Sequence, residues 1–164
     1  MKLEIYTADK NEELLLKTLL NAYLQELRMY RQIPVGATTA SEYPYLQLYW
    51  SEAGRYPFLL KVSGELAGFA LVRQVAEKPK PCMSMAEFYV SPSKRRQGLG
   101  WEAVQRLFHQ FPGAWELQVI KGNQPAMEFW RRCIQFSAST WQVESILAQD
   151  GPRLFYHFEI LPSS

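Results

Sequence analysis

The residues best placed to do chemistry are Arg95-Arg96-Gln97-Gly98-Leu99-Gly100. They lie between an apolar run, Phe88-Tyr89-Val90, and a helix-period segment that reaches about Phe111. A strand, a short basic turn and a helix N-terminus make an anion trap, because free N–H groups and the positive end of the macrodipole converge there. Gly98 and Gly100 would let the backbone approach an anion where a Cβ would intrude. Arg95 and Arg96 would add charge-assisted hydrogen bonds. The alternative reading of the same residues is a solvated turn that caps a surface helix.

Spacing narrows the chemistry. There is no Gly-x-x-x-x-Gly-Lys-Ser/Thr, and no Gly-x-Gly-x-x-Gly in the first strand-to-helix turn, so two familiar phosphate loops are set aside. Cys82 and Cys133 have neither metal nor redox spacing, and two cysteines do not make a disulfide framework. No metal site is expected. A second segment, Asn123 to Trp130, follows a strand expected over Trp115 to Ile120.

Two patterns in these segments carry a family resemblance. Arg95, Gly98 and Gly100 fill Arg-x-x-Gly-x-Gly, while Asn123, Ala126, Phe129 and Trp130 fill Asn-x-x-Ala-x-x-Phe-aromatic. In this order, one helix and one strand apart, they resemble the motifs of the GCN5-related N-acetyltransferases. The resemblance covers most of the chain from Phe58 onward and is weakest over about residues 1–57 and at the C-terminal end.

The resemblance implies acetyl-CoA as donor and an amine as acceptor, with direct attack in a ternary complex. It implies that the strand before the loop splays from its neighbour, so that the backbone of Phe88, Tyr89 and Val90 pairs with the pantetheine amides as an added strand would. An N–H near Val90 would polarise the thioester carbonyl. The amides of Arg96, Gln97, Gly98, Leu99, Gly100 and Trp101 would hold the pyrophosphate. Asn123 would bind the pantetheine arm or steady the loop, or act as a helix N-cap before Pro125, or both. Ala126, Phe129 and Trp130 complete the expected cofactor site. A non-catalytic acyl-CoA-binding or regulatory module is the competing reading.

Catalytic roles are less specified. Glu87 alternates with Phe88 beside the donor and is the first choice as general base. The alternative is a structural carboxylate, and many family members relay the proton through water. Glu116, on the next strand, is a weaker choice. His109 reads as a surface residue and His157 as packing. A tyrosine commonly follows the Phe of the second motif, but here Trp130 stands there, and an indole N–H does not supply protons at neutral pH. Tyr89, another tyrosine or water would then protonate the thiolate, while Trp130 packs on pantetheine or fills core. The motif's closing Gly-Phe is altered to Gln135-Phe136.

The acceptor would enter between the first two helices and the central strands. Tyr23, Tyr30, Tyr43, Tyr45, Tyr49 and Trp50 crowd that region. With Glu26 or Glu42 they would suit a cationic amine through cation–π and ion pairing. Alternatively they build core and a homodimer face.

The elements must position these groups. A chain of 164 residues, 48% apolar, fits a single domain over 1–164 with one full core. A net charge of +2 is too small to argue for nucleic acid or a membrane surface. No signal-peptide pattern or bilayer-length apolar run is present, so the cytoplasm is the expected compartment.

Leu3, Ile5 and Thr7 suggest a first strand, and Asp9 with Glu12 a capping box. Leu16, Leu19, Leu20, Tyr23 and Leu27 recur at helical spacing. Pro34 and Gly36 are expected to stop that helix before a loop to Ser41. A second, short helix is expected over Tyr43 to Trp50. Phe58–Val62 and Leu66–Val75 should form a hairpin around Ser63-Gly64. Pro79 and Pro81 mark a loop, and Met83–Val90 the next strand. A helix follows over Gly98–Phe111, ended by Pro112-Gly113. Next come the Trp115–Ile120 strand and a helix from Pro125 to about Ile134. The last hairpin pairs Thr140–Leu147 with Leu154–Ile160 around Asp150-Gly151.

The expected class is α/β (α+β), in the order β-α-α-β-β-β-α-β-α-β-β. The resemblance implies a mixed, mostly antiparallel sheet of about seven strands flanked by about four helices.

Overall fold

A computed structural model describes residues 2–31 and 39–163. Strand β1 is Leu3–Thr7, and helix α1 is Glu13–Leu27. A short helix α2 (Leu48–Ser51) leads into β2 (Arg55–Val62), β3 (Glu65–Gln74) and β4 (Cys82–Val90). Helix α3 (Leu99–Gln110) and β5 (Gly113–Ile120) follow, then α4 (Gln124–Ser137) and the hairpin β6 (Thr140–Ala148) and β7 (Gly151–Ile160). The seven strands form a single sheet in the order β1-β2-β3-β4-β5-β7-β6. Every pairing is antiparallel except β4 with β5. The expected class, element order and strand number are those observed.

Local chemistry accounts for most of the elements. Asp9 caps the turn before α1, and Glu12 returns a bond to the Asp9 N–H, as a capping box does. Ser63 (φ 51°) and Gly64 (φ 80°) both lie in the left-handed region, which a two-residue hairpin turn of the β2–β3 twist requires. Strands β2 and β3 are buried on both faces and read as near-continuous apolar runs. On one face Leu16, Leu20 and Leu24 of α1 pack on Leu59, Phe69 and Leu71. On the other, Leu107 and Phe108 of α3 and Ile134 of α4 pack on Val72, Trp115 and Phe158.

Three expectations are corrected. Helix α1 ends at Leu27, where turn bonds from Met29 and Tyr30 replace the helical ladder, so Pro34 and Gly36 do not end it. Those two residues lie outside the described residues. The second helix is not Tyr43–Trp50 but the single turn Leu48–Ser51, because Pro44 has no N–H to donate and Tyr45 is left-handed at φ 72°. Part of the expected loop before it is a 3-10 turn, Ala40–Glu42. Helix α4 runs past Ile134 to Ser137, so Gln135 and Phe136 are helical. No helix among the described residues is long and apolar enough to cross a membrane.

Candidate functional site

The site begins where the parallel ladder stops. Strand β4 pairs with β5 only over Cys82–Ser84 and Ala114–Glu116, and beyond that the two strands part. The Ser91 N–H donates to Ala67 O at 2.8 Å, so by strand alternation the backbones of Tyr89 and Glu87 face β3. Those of Phe88 and Val90 face the gap. A Cβ on Gly68 would lie 2.1 Å from Tyr89 O, so glycine is required for β3 to reach β4 there. Of the groups that face the gap, Val90 O already accepts from Arg95 Nε at 2.8 Å.

The loop after β4 meets the N-terminus of α3. Arg96 (φ 63°) and Gly98 (φ 78°) are both left-handed, and no side chain caps the helix. The first N–H to find a helical acceptor is that of Glu102, on Gly98 O. The N–H groups of Leu99, Gly100 and Trp101 therefore have no intrahelical partner and point out of the helix end.

The glycines act differently from one another. A Cβ on Gly98 would meet no protein atom within 4 Å, so within the chain itself glycine is favoured there by the left-handed backbone. A Cβ on Gly100 would press to 3.3 Å from the Phe129 ring. Leu99 buries its side chain in the core and offers only backbone. Gln97 is exposed and its amide reaches Ser93 O at 3.5 Å. Arg95 is not directed at the helix end. Its guanidinium grips Glu26 of α1 through two bonds of 2.9 and 2.7 Å and lies over the Tyr89 ring.

The second motif closes the other wall. Asn123 Oδ1 accepts the Ala126 N–H at 3.2 Å and caps α4. Phe129 stacks on Phe88 with ring centroids 5.9 Å apart, and Trp130 meets Phe88 edge to face at 5.4 Å. Trp130 is buried in the core, with 8% exposed, and Trp101 packs against Phe136.

Glu87 sits on β4, directly after a bulge: Leu71 pairs Glu87 and Val72 pairs Met85, leaving Ala86 as the extra residue. The bulge turns Ala86 toward the α1 face along with Glu87, whereas Met85 packs with the α3–α4 core. One Glu87 oxygen accepts the Tyr23 hydroxyl and the other the Tyr43 hydroxyl, both at 2.6 Å. Burial raises the Glu87 pKa from 4.5, and the two tyrosine bonds oppose that rise. The Tyr23 and Tyr43 hydroxyls are themselves held well above 10 by burial and by the Glu87 charge. Tyr89 packs on Tyr23 and Phe69, and burial, followed by the Glu26 charge, raises its pKa from 10.0. All three phenols are protonated at neutral pH. Each carboxylate oxygen of Glu87 keeps a further lone pair for a third donor.

Two cavities meet at these residues. One, of about 720 Å³, runs along the loop from Arg96 to Trp101 and past Val90, Tyr89 and Phe129. The other, of about 310 Å³, lies against Glu87, Ser84 and Glu116. Tyr23, Phe88, Asn123, Ala126 and Trp130 border both. The larger can take an elongated anion-bearing ligand whose polar end lies on the α3 N-terminus. The smaller can hold a second molecule within reach of Glu87.

Of the aromatic residues expected to wall an acceptor pocket, only Tyr23 borders this second cavity. Tyr49 is core and Tyr45 is 64% exposed, while Tyr23 and Tyr43 are spent on Glu87. Glu26 is held by Arg95, and Glu42 accepts from Thr39. The smaller cavity is walled by charge, with Arg31, Arg73 and Arg153 in its lining. These arginines lie in no motif. Arg73 could have been singled out as the charge that interrupts the apolar run of β3. Glu116 faces this cavity, His109 is exposed, and His157 stacks on Phe155 at 4.3 Å. Among the described residues no group of three His, Cys, Asp or Glu could hold a metal.

Residues 17–136 match the Acetyltransferase (GNAT) family. The fold is similar to that of an acetyltransferase from Thermus thermophilus, with a TM-score of 0.69 at 15% identity, covering 98% of each chain. It is similar to an Arabidopsis thaliana protein solved with the bisubstrate analogue CoA-Ac-MVNAL (TM-score 0.67, 14% identity, 95% of this chain and 98% of that one). It is also similar to a Bacillus anthracis acetyltransferase solved with acetyl coenzyme A (TM-score 0.63, 11% identity, 98% of this chain and 99% of that one). No curated protein matches the sequence significantly.

Proposed function

Because this chain belongs to the GNAT acetyltransferase family, we propose that it transfers the acetyl group of acetyl-CoA to a primary amine by direct attack in a ternary complex. The observation that carries the reading is the parting of β4 from β5 after Ser84 and Glu116, beside the uncapped N-terminus of α3. An edge of unpaired amides next to a cluster of free helical N–H groups suits a ligand with an amide-bearing arm and a diphosphate.

Acetyl-CoA supplies an activated acyl thioester. The chain supplies the rest. The N–H groups of Leu99, Gly100 and Trp101, with those of Arg96, Gln97 and Gly98, hold the diphosphate. The backbones of Phe88 and Val90 take up the arm, and the Val90 N–H faces the charge that develops on the thioester oxygen. Phe129, Trp130 and Ala126 exclude water from the arm's far side. Asn123 keeps α4 capped where the two cavities meet.

Glu87 acts as the base, accepting the amine proton while Tyr23 and Tyr43 hold its carboxylate in place. Tyr89 takes the acid role that Trp130 cannot fill, because it lines the larger cavity and its phenol is protonated. Arg95 contributes indirectly, by fixing the loop to α1 through Glu26.

One observation favours a second reading: Trp130 is core and offers no transferable proton. A domain that binds acyl-CoA without turnover would show the same feature. Incubation of the protein with acetyl-CoA and a panel of primary amines decides between them. Release of free thiol that depends on an amine is the expected result. Binding of CoA with no amine-dependent release would favour the second reading.

A further inference from the structure

The smaller cavity carries more positive charge than its own carboxylates neutralise. Arg153 binds Asp150 through two bonds, at 3.2 and 2.7 Å, and places a third on Gln118. Arg31 lies 3.5 Å from the same Asp150, which is itself buried. Glu116 has Lys78 at 3.5 Å. Arg73 makes no ion pair or hydrogen bond among the described residues, yet it lines the cavity. Its cross-strand neighbours are Arg55 on β2, a like charge, and the neutral Ser84 on β4, so neither offers compensation.

The position of Arg73 is informative. Leu71 pairs with Glu87 and Arg73 with Ser84, so Arg73 stands two residues along β3 from the proposed base. That is a separation of roughly 7 Å along the strand, on the same face of the sheet. A flexible guanidinium at that distance and a carboxylate beside the thioester are set for the two ends of one small molecule. The cavity volume of about 310 Å³ is at the low end of the ligand-site range, roughly 300–1,000 Å³.

We propose that the acceptor is a small amino carboxylate, its amine at Glu87 and its carboxylate on the guanidinium of Arg73. A planar guanidinium matches a carboxylate with two parallel bonds, which an ammonium does not. The proposal deepens the acetyl-transfer reading and rests on it. An amine without a negative group would leave Arg73 uncompensated.

The test compares the proteinogenic L-amino acids with their L-amino acid amides, measured by calorimetry with and without saturating CoA. Each pair keeps the side chain and the amine and replaces the carboxylate by a neutral carboxamide. Free acids should bind and the matching amides should bind roughly tenfold to a hundredfold more weakly, the worth of a charged hydrogen-bonded contact. Arg73→Gln should abolish the discrimination and Arg73→Lys should restore part of it, with CoA binding to each variant as the check on folding.

Amides that bind as well as acids, or a discrimination that survives Arg73→Gln, would overturn the proposal. So would a protein that binds CoA but no free amino acid. Failure to bind CoA would instead strike the acetyl-transfer reading, because the arm without CoA reports on the amino acids alone.

Discussion

The two oxygens of Glu87 each accept a tyrosine hydroxyl at 2.6 Å, and this shapes what its replacement should do. Glu87→Gln keeps one acceptor oxygen but turns the other position into a donor that faces a phenol. The loss of the base should lower kcat by roughly a hundredfold or more. Burial raises the Glu87 pKa, so the active, ionised form fills as pH rises through that raised value. The wild-type rate should therefore climb with pH along an acid limb lying above the ordinary carboxylate range. In the Gln variant that limb should be flat, and an unchanged limb would remove Glu87 as the base. Tyr89→Phe should lower kcat by about tenfold or more while leaving the KM for acetyl-CoA unchanged. An unchanged kcat would mean that solvent protonates the thiolate. Glu87 was legible as a candidate from its alternation with Phe88 beside the loop, and Tyr89 only as one stand-in for the tyrosine that Trp130 replaces. The Tyr23 and Tyr43 partners were not, because α1 and the Tyr43 segment reach β4 only in the folded chain.

At the scale of elements, the β3–β4 ladder matters most, since it aims the backbone of Phe88 and Val90 into the gap. Gly68 permits that ladder. Its Cβ would lie 2.1 Å from the backbone oxygen of Tyr89, a group that cannot swing aside. Gly68→Ala should cost about 3 kcal/mol, the upper part of the usual overpacking range, and lower Tm by roughly 10 °C. It should also weaken acetyl-CoA binding, because the β4 edge shifts. Calorimetric unfolding checks both, and a wild-type Tm would contradict the ladder argument. Gly98→Ala meets no atoms and should cost only about 1–2 kcal/mol for the left-handed backbone. Strands, hairpin turns and the capping box were readable because their signals are local. The bulge at Ala86 was not, because only the register with β3 reveals it. The second helix was misjudged because Tyr45 adopts a positive φ that a bulky side chain rarely does.

At the scale of the molecule, the site is a seam where two halves of the sheet separate. β4 brings the backbone and the proposed base Glu87, α3 the free N–H groups, and α4 the aromatic wall. β3 and β7 bring Arg73 and Arg153, and Asp150 stands in the turn before β7. The motif residues were visible because loop and helix lie in one continuous segment. The charged cavity was invisible because its arginines come from three separate stretches of chain. If the seam is the acetyl-CoA site, a group that blocks the helix end should abolish binding without unfolding the sheet. Gly98→Glu places a negative side chain at that end, in open space.

Calorimetric titration of acetyl-CoA into wild-type protein and Gly98→Glu, with ATP as control ligand, tests this most directly. Acetyl-CoA should bind the wild type saturably, ATP should bind it much more weakly, and a folded Gly98→Glu variant should not bind acetyl-CoA. Equal affinity of the two proteins for acetyl-CoA, or no binding by the wild type, would contradict it.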